Sequence, residues 1–172
     1  KEISESAYTE GQLEQLEEEL AQKAEAVWQL AEALHVKRRE LAHRLEKEIV
    51  QELKELYMEH AQFEVRFASG SKQLSSSGFD TVEFYLTTNP GEGMKPLVRV
   101  ASGGELSRIL LALKSIFSRK QGITSIVFDE VDTGVSGRVA QAIAEKIAKI
   151  AANSQVLCIT HLPQVAAVAD NQ

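Results

Sequence analysis

Three acidic residues, Asp129, Glu130 and Asp132, follow the apolar run 126–128 near the middle of the second half of the chain. Two adjacent carboxylates at the end of a buried strand need a positive partner, and a magnesium ion that carries nucleotide phosphates is the simplest one. The spacing therefore fits a Walker B segment, in which the first acid holds the metal and the second polarises the water that attacks the γ-phosphate. It also fits a strand that ends in a solvated acidic turn.

A glycine pair forms a second candidate site, in the run Ser102-Gly-Gly-Glu105 that precedes apolar residues at helical spacing. Ser102 and Glu105 alone make a capping box, which would simply start the helix. Gly103 and Gly104 add something further, because they leave backbone N–H groups open at the positive end of the helix dipole. The sequence thus predicts a helix start that meets a phosphate.

His161 follows a second apolar run, 156–160, and a helix with apolar residues on one face is predicted between the two runs. A right-handed crossover makes the two strands parallel. Their carboxyl ends then lie at one edge of the sheet, where open α/β sheets bind ligands. We therefore expect His161 to lie near Asp129 and Glu130.

These residues need a scaffold, and the first third of the chain predicts a long helix. No proline or glycine occurs from Gln12 to about His60. Apolar residues recur there at intervals of seven, which is typical of a coiled-coil seam: Leu13, Leu20, Val27, Leu34 and Leu41. Fifty helical residues would reach roughly 75 Å, so we expect an arm whose partner helix lies elsewhere. His35, His43 and His60 are expected to be solvated.

The segment between the arm and the glycine pair predicts a small β-structure. Residues 63–67 and 82–86 alternate between apolar and polar, as expected for two strands joined by a loop. Residues 97–100 are expected to form a short strand or an extended lead-in. The single cysteine, Cys158, lies in an apolar run and is expected to be a core residue.

Charge and hydropathy exclude some classes of function. The net charge is −6, and the acidic surplus falls in residues 1–60, so no basic face is available for bulk attraction to nucleic acid. No apolar run is long enough for a membrane span and no signal peptide is evident, so we expect a cytoplasmic protein without a membrane partner. The chain starts without methionine, and we expect it to be part of a longer protein.

Four motifs in order carry a family resemblance. They correspond to the signature motif, Walker B, D-loop and switch histidine of ABC-type ATPases: Ser102–Glu105, Ile126–Glu130, Asp132–Ser136 and Thr160–His161. The residue sequences of these motifs, including Val-Asp-Thr-Gly and Thr-His-Leu-Pro-Gln-Val-Ala-Ala, are similar to those of the RecN family of bacterial DNA repair proteins, which are SMC-like ATPases. The resemblance is strong over residues 80–170.

The resemblance implies an α/β fold, namely the C-terminal lobe of an ABC/SMC-type P-loop ATPase head (62–172) with a returning coiled-coil arm (1–61). It implies ATP and Mg²⁺ as cofactors and assigns roles to nine residues. Asp129 would hold the metal, Glu130 and His161 would be catalytic, and the nucleotide of a second head would be bound by Ser102, Gly103, Gly104, Glu105, Asp132 and Ser136.

The implied partners are DNA, a second ATPase head in a homodimer, and the N-terminal lobe and outgoing arm of the same protein. The implied process is double-strand break repair by a cytoplasmic, nucleoid-associated protein. No Gly-x-x-x-x-Gly-Lys-Ser/Thr loop occurs in the chain, so we expect the chain alone to be inactive.

Three alternatives stay open from the sequence. Two of them are a coiled-coil scaffold whose globular end binds a partner and another SMC-like chromosome or repair ATPase. A metal-dependent phosphohydrolase that uses Asp129, Glu130 and Asp132 as direct ligands would need further ligands in the same chain.

Overall fold

The computed structural model describes the backbone of residues 2–68, 73–99, 103–129 and 131–172, and side chains from residue 11 onward. Its elements in chain order are helix α1 (Glu2–Glu55), strands β1 (Gln62–Phe67), β2 (Val82–Thr87) and β3 (Lys95–Pro96), a 3₁₀ helix (Leu97–Arg99), helix α2 (Gly103–Gln121), strand β4 (Ser125–Asp129), helix α3 (Gly137–Ala151), strand β5 (Gln155–Ile159) and helix α4 (Pro163–Ala166). The chain divides into two compact units, Lys1–Leu41 with Phe67–Thr81 and Ala42–Arg66 with Val82–Gln172.

Helix α1 confirms the predicted long helix but ends at Glu55, five residues before the predicted end. The helix stops because Tyr57 takes a left-handed conformation, with φ of 59°. The amide of Met58 then donates to the carbonyl of Leu53 at 3.0 Å, and the amide of Tyr57 to that of Lys54 at 3.1 Å. These two bonds form a Schellman cap.

In the first unit, a buried carboxylate joins the segment after β1 to helix α1. Asp80 accepts hydrogen bonds from Arg38 Nη1 at 2.8 Å and lies 2.5 Å from His35 Nδ1. Burial would raise the pKa of Asp80, but the hydrogen bonds from Arg38 and His35 outweigh it and lower the pKa. The expectation that His35 is solvated is therefore wrong.

The apolar seam of α1 is exposed in this unit. The side chains of Leu13, Leu20 and Leu41 are each more than half exposed, whereas Val27 is 48% and Leu34 is 38% exposed. A coiled-coil partner for this seam stays a prediction.

Two sheets lie along the chain. Strands β1, β2 and β3 form a sheet in that order, and β2 pairs with β3 in the antiparallel sense. The predicted strand at residues 97–100 is wrong over its described part, which is the 3₁₀ helix. Pro96 explains the end of β3, since proline cannot donate a hydrogen bond to a sheet ladder.

The core of the second unit lies between the last turns of α1 and helices α2 and α3. Ile49, Leu53 and Leu56 are fully buried there with Ile109 and Ile116 of α2. Isoleucines of α3 complete this face, as their spacing predicted. The same core therefore contains the end of the long helix and the helix that begins with the glycine pair.

Two buried charged side chains, Glu52 and Lys146, form an ion pair in this core. Lys146 of α3, only 4% exposed, lies 2.7 Å from Glu52 Oε2 and 2.5 Å from Glu55 Oε2, and Arg119 of α2 donates to Glu52 Oε1 at 2.7 Å. Burial would raise the pKa of Glu52, but Lys146 and Arg119 outweigh it and lower the pKa. We call Glu52, Glu55, Arg119 and Lys146 the ionic cluster.

Among the helices of the described residues, none combines the length and the hydropathy required to cross a lipid bilayer.

Candidate functional site

Strands β4 and β5 are parallel, which confirms the predicted strand-helix-strand topology. Their register pairs Ser125 with Gln155 and Asp129 with Ile159. Asp129 is therefore the last residue of β4, with an exposed side chain, and His161 lies two residues beyond the end of β5. Glu130 lies outside the described residues.

Strand β4 is half-buried, and the expectation of a buried strand is wrong in this respect. Ile126 and Phe128 face the core, whereas Val127 is 55% exposed. On β5, Leu157 and Ile159 are exposed by more than half. Among the described residues, this sheet consists of β4 and β5 alone. The face of the sheet that points away from the core is not covered in the described part of the chain. We call Val127, Leu157 and Ile159 the open face.

Asp132 is fully buried, although it lies in the turn that follows β4. Thr160 Oγ1 donates a hydrogen bond to Asp132 Oδ2, and His161 Nδ1 lies 3.4 Å from Asp132 Oδ1. The Thr160 hydroxyl also accepts a hydrogen bond from the amide of Leu162 at 3.1 Å. The structure thus brings together the predicted residues Asp132 and His161 through Thr160, a member of the Thr160–His161 motif to which no role was assigned.

Gly104 lies in the first turn of α2, in close contact with the turn after β4. A Cβ at this position would lie 3.1 Å from the carbonyl oxygen of Thr133, a distance that few real Cβ contacts reach. Apart from its chain neighbours and the backbone of its own helix, no atom of the described residues lies within 4 Å of a Cβ at Gly103. Gly104 therefore allows close backbone approach inside the protein, whereas Gly103 is open to an external group. Ser102 lies outside the described residues.

The remaining predicted residues flank this contact. Glu105 is half-buried in the first turn of α2. Ser136 precedes α3 in an extended conformation, and its side chain makes no capping hydrogen bond. The hydroxyl of Ser136 is therefore not used to start the helix.

Arg108 lies one turn after Gly104 on α2 and was not among the predicted site residues. Its Nε donates to the carbonyl of Gly104 at 3.1 Å, and its Nη1 donates to the carbonyl of Leu56 at 3.2 Å. Burial lowers the pKa of Arg108, and the charge of Glu105 partly opposes this effect. Arg108 thereby ties the start of α2 to the capped end of α1.

At the end of β4, Asp129 is the described carboxylate that could contribute to a metal site. Within residues 11–68, 73–99, 103–129 and 131–172, no group of three or more His, Cys, Asp or Glu side chains could hold a metal ion. Asp129 offers one exposed carboxylate at the sheet edge. Magnesium in nucleotide sites commonly takes one or two carboxylates and keeps the remaining positions for phosphate and water.

Comparison with solved structures identifies the fold. An Smc head bound to the C-winged helix domain of ScpA superposes with a TM-score of 0.59 at 18% identity, over 75% of this chain and 37% of that one. The Smc head with a coiled coil and joint from Pyrococcus yayanosii gives a TM-score of 0.59 at 21% identity, over 78% of this chain and 24% of that one. The fold is that of SMC head domains, which is an ABC-type ATPase fold.

Sequence relatives give the family. The chain is 51% identical to the DNA repair protein RecN of Bacillus subtilis over 99% of this chain and 32% of that protein. It is 64% identical to RecN of Halalkalibacterium halodurans over 77% of this chain and 24% of that protein, and 35% identical to RecN of Treponema pallidum over 99% and 30%. No protein-family model matches the chain.

By sequence the chain belongs to the RecN family, and it matches the C-terminal part of the full-length relatives. It spans about a third or less of the length of those relatives.

Proposed function

We propose that this chain is the C-terminal lobe of an ATPase head that hydrolyses ATP when two heads engage, in a protein that acts in the repair of DNA double-strand breaks. Support comes from the SMC head fold and from relatives that are named DNA repair proteins.

One observation carries the proposal: the start of the glycine-pair helix lies in direct contact with the turn that follows β4. Gly104 packs on the backbone of Thr133, in the same turn whose Asp132 lies 3.4 Å from His161. A group bound at Gly103 and a group bound at the end of β4 would therefore contact two segments that pack directly on each other. A scaffold that binds a partner has no need of this arrangement.

Each residue has a proposed role. Asp129 contributes to the site of Mg²⁺, Glu130 orients and polarises the attacking water, and His161 contacts the γ-phosphate. When bound, the metal neutralises charge on the phosphate oxygens. The nucleotide of the second head would be met by Ser102, Gly103, Gly104 and Glu105, with Asp132 and Ser136 in the adjoining turn.

We infer the partners from the exposed surfaces of the chain. We assign the open face of β4 and β5 to the N-terminal lobe of the same protein. The match covers 32% of the Bacillus subtilis relative, so that protein has more than twice as much sequence outside the match as inside it. We assign the seam of α1 to an outgoing arm, since an exposed heptad seam needs a second helix. The division at residues 61 and 62, the DNA and the nucleoid location belong to the same proposal.

Ser102→Arg in the full-length protein tests this function. A bulky cation at the start of α2 blocks engagement with the nucleotide of the second head but does not touch the phosphate loop of its own head. We expect ATP binding within about twofold of the unmodified protein and a loss of at least about a hundredfold in kcat. Gln121→Arg adds the same charge at the other end of α2 and should keep full turnover.

Mixing variants then tests whether the helix start acts on the nucleotide of the other head. Ser102→Arg protein mixed with a protein that lacks the phosphate-loop lysine forms hybrid pairs with one complete site. We expect ATPase activity from the mixture although each variant alone is inactive. Full activity of Ser102→Arg alone, or an inactive mixture with hybrid pairs demonstrated, would contradict the proposed role.

A further inference from the structure

The inference concerns the buried carboxylate of Asp132. Its side chain has no solvent exposure, and a buried charge is costly unless hydrogen bonds satisfy it. Thr160 satisfies Oδ2, but Oδ1 has no hydrogen-bond partner among the described residues. A buried polar atom without a partner calls for an explanation in a folded protein.

His161 supplies the explanation. Its Nδ1 lies 3.4 Å from Oδ1, which is within ion-pair range but longer than an ordinary hydrogen bond. The imidazole is 64% exposed, so a small rotation can close this gap without repacking the core. Hydrogen bonds in active sites are often long without substrate and shorten in the complex.

We propose that Asp132 is a positioning residue that acts through His161: it accepts a hydrogen bond from Nδ1–H and thereby fixes the ring so that Nε2 points away from the protein. This inference rests on the proposed function, in which His161 contacts the γ-phosphate. Thr160 orients the carboxylate, and the same hydroxyl accepts a hydrogen bond from the amide of Leu162, so the carboxylate is held by the segment after β5 that carries His161.

The proton positions follow from simple chemistry. An ionised carboxylate only accepts hydrogen bonds, so the ring nitrogen that faces Asp132 must carry a proton. Nε2 is then the nitrogen that is left to face the phosphate.

A structural role alone is the competing explanation, because Asp132 also joins the turn after β4 to the end of β5 through Thr160. Both explanations predict a less stable protein when Asp132 is changed. They differ in whether the ring of His161 responds, and whether the loss of activity depends on His161.

Nitrogen-15 NMR of histidine-labelled chain measures the ring directly. The chain has four histidines, and His161→Ala assigns the signal. In the unmodified chain we expect neutral His161 as the Nδ1–H tautomer, and this preference should disappear in Asp132→Asn, which keeps an acceptor for Thr160. Asp80→Asn is a matched control at the other Asp–His contact, and it should change the signal of His35 but not that of His161.

Neutral His161 as the Nε2–H tautomer in the unmodified chain would overturn the inference, and this result needs no variant that folds. Unchanged His161 ring shifts in folded Asp132→Asn would overturn it as well.

A double-mutant cycle in the full-length protein tests the effect on turnover. We expect Asp132→Asn to lower kcat by roughly tenfold to a hundredfold, the scale of a misplaced catalytic group, with little change in the affinity for ATP. In a His161→Ala background the same change should alter kcat by less than about threefold, because its partner is already absent. Losses that multiply independently would assign Asp132 a structural role. An unmodified protein without ATPase activity would instead refute the proposed function, while the tautomer of His161 would still be decided by NMR.

Discussion

Tyr57 adopts a backbone conformation that glycine usually occupies after a helix. Its φ of 59° allows the cap that ends α1, and Arg108 adds a hydrogen bond to the carbonyl of Leu56 at the same place. A left-handed conformation costs a residue with a Cβ roughly 1–2 kcal/mol. Tyr57 therefore stores strain at the junction between the long helix and the core.

Tyr57→Gly should stabilise the chain. Glycine removes the strain but loses more chain entropy on folding, so we expect a net gain of about 0.5–1 kcal/mol in the free energy of unfolding. Tyr57→Ala is the control, because it removes the half-exposed ring and keeps the strain. Urea unfolding of both variants checks this, and a glycine variant no more stable than the alanine variant would refute the strain at Tyr57.

Other single residues show how far sequence reasoning reaches. The glycine pair was visible as a motif, yet its two members have different surroundings, and only three-dimensional contact with Thr133 distinguishes Gly104. The burial of Asp132 was also hidden, since acidic residues in turns are usually solvated. Thr160, one residue before His161, was the signal that could have indicated a buried hydrogen-bond partner.

At the scale of elements, the ionic cluster joins three helices. Glu52 and Glu55 belong to the last turns of α1, Arg119 to α2 and Lys146 to α3. Periodicity predicted these helices because apolar residues repeat along each one. It could not predict the cluster, since ion pairs between distant segments leave no local pattern.

Lys146→Met should destabilise the chain. The side-chain stem is retained, but Glu52 loses a buried counter-charge, and breaking a buried pair from one side costs about 3 kcal/mol. Lys149→Met is a matched control on the same helix, because Lys149 is 70% exposed and lies 3.7 Å from Glu55. It should have no measurable effect on thermal or urea unfolding. Equal stability of the two variants would show that the cluster contributes no net stability.

The ends of the elements and the solvent exposure of their faces were the least predictable features. The sequence around Tyr57 contains no glycine or proline, so nothing local indicated that α1 stops at Glu55. The exposure of Val127 was hidden for a different reason. A continuous apolar strand is typical of a sheet covered on both faces, and the second cover is not part of the described sheet.

At the scale of the whole molecule, the chain matches about a third or less of the length of its relatives. We therefore expect it to bind ATP more weakly than a complete head. The chain has no phosphate-loop motif and thus no lysine placed to bind the β- and γ-phosphates. The purified chain with Mg²⁺ should neither hydrolyse ATP nor bind it tightly. Calorimetric titration checks this, and submicromolar affinity or steady turnover would contradict the assignment as a C-terminal lobe.

The open face of β4 and β5 also has a consequence for how such a protein is made in the cell. Val127, Leu157 and Ile159 are exposed beside strands whose edges are unpaired in the described sheet. Surfaces of this kind favour aggregation and are recognised by chaperones until another segment covers them. If the proposed N-terminal lobe covers this face, quality control during synthesis acts most strongly on molecules in which the two have not yet docked.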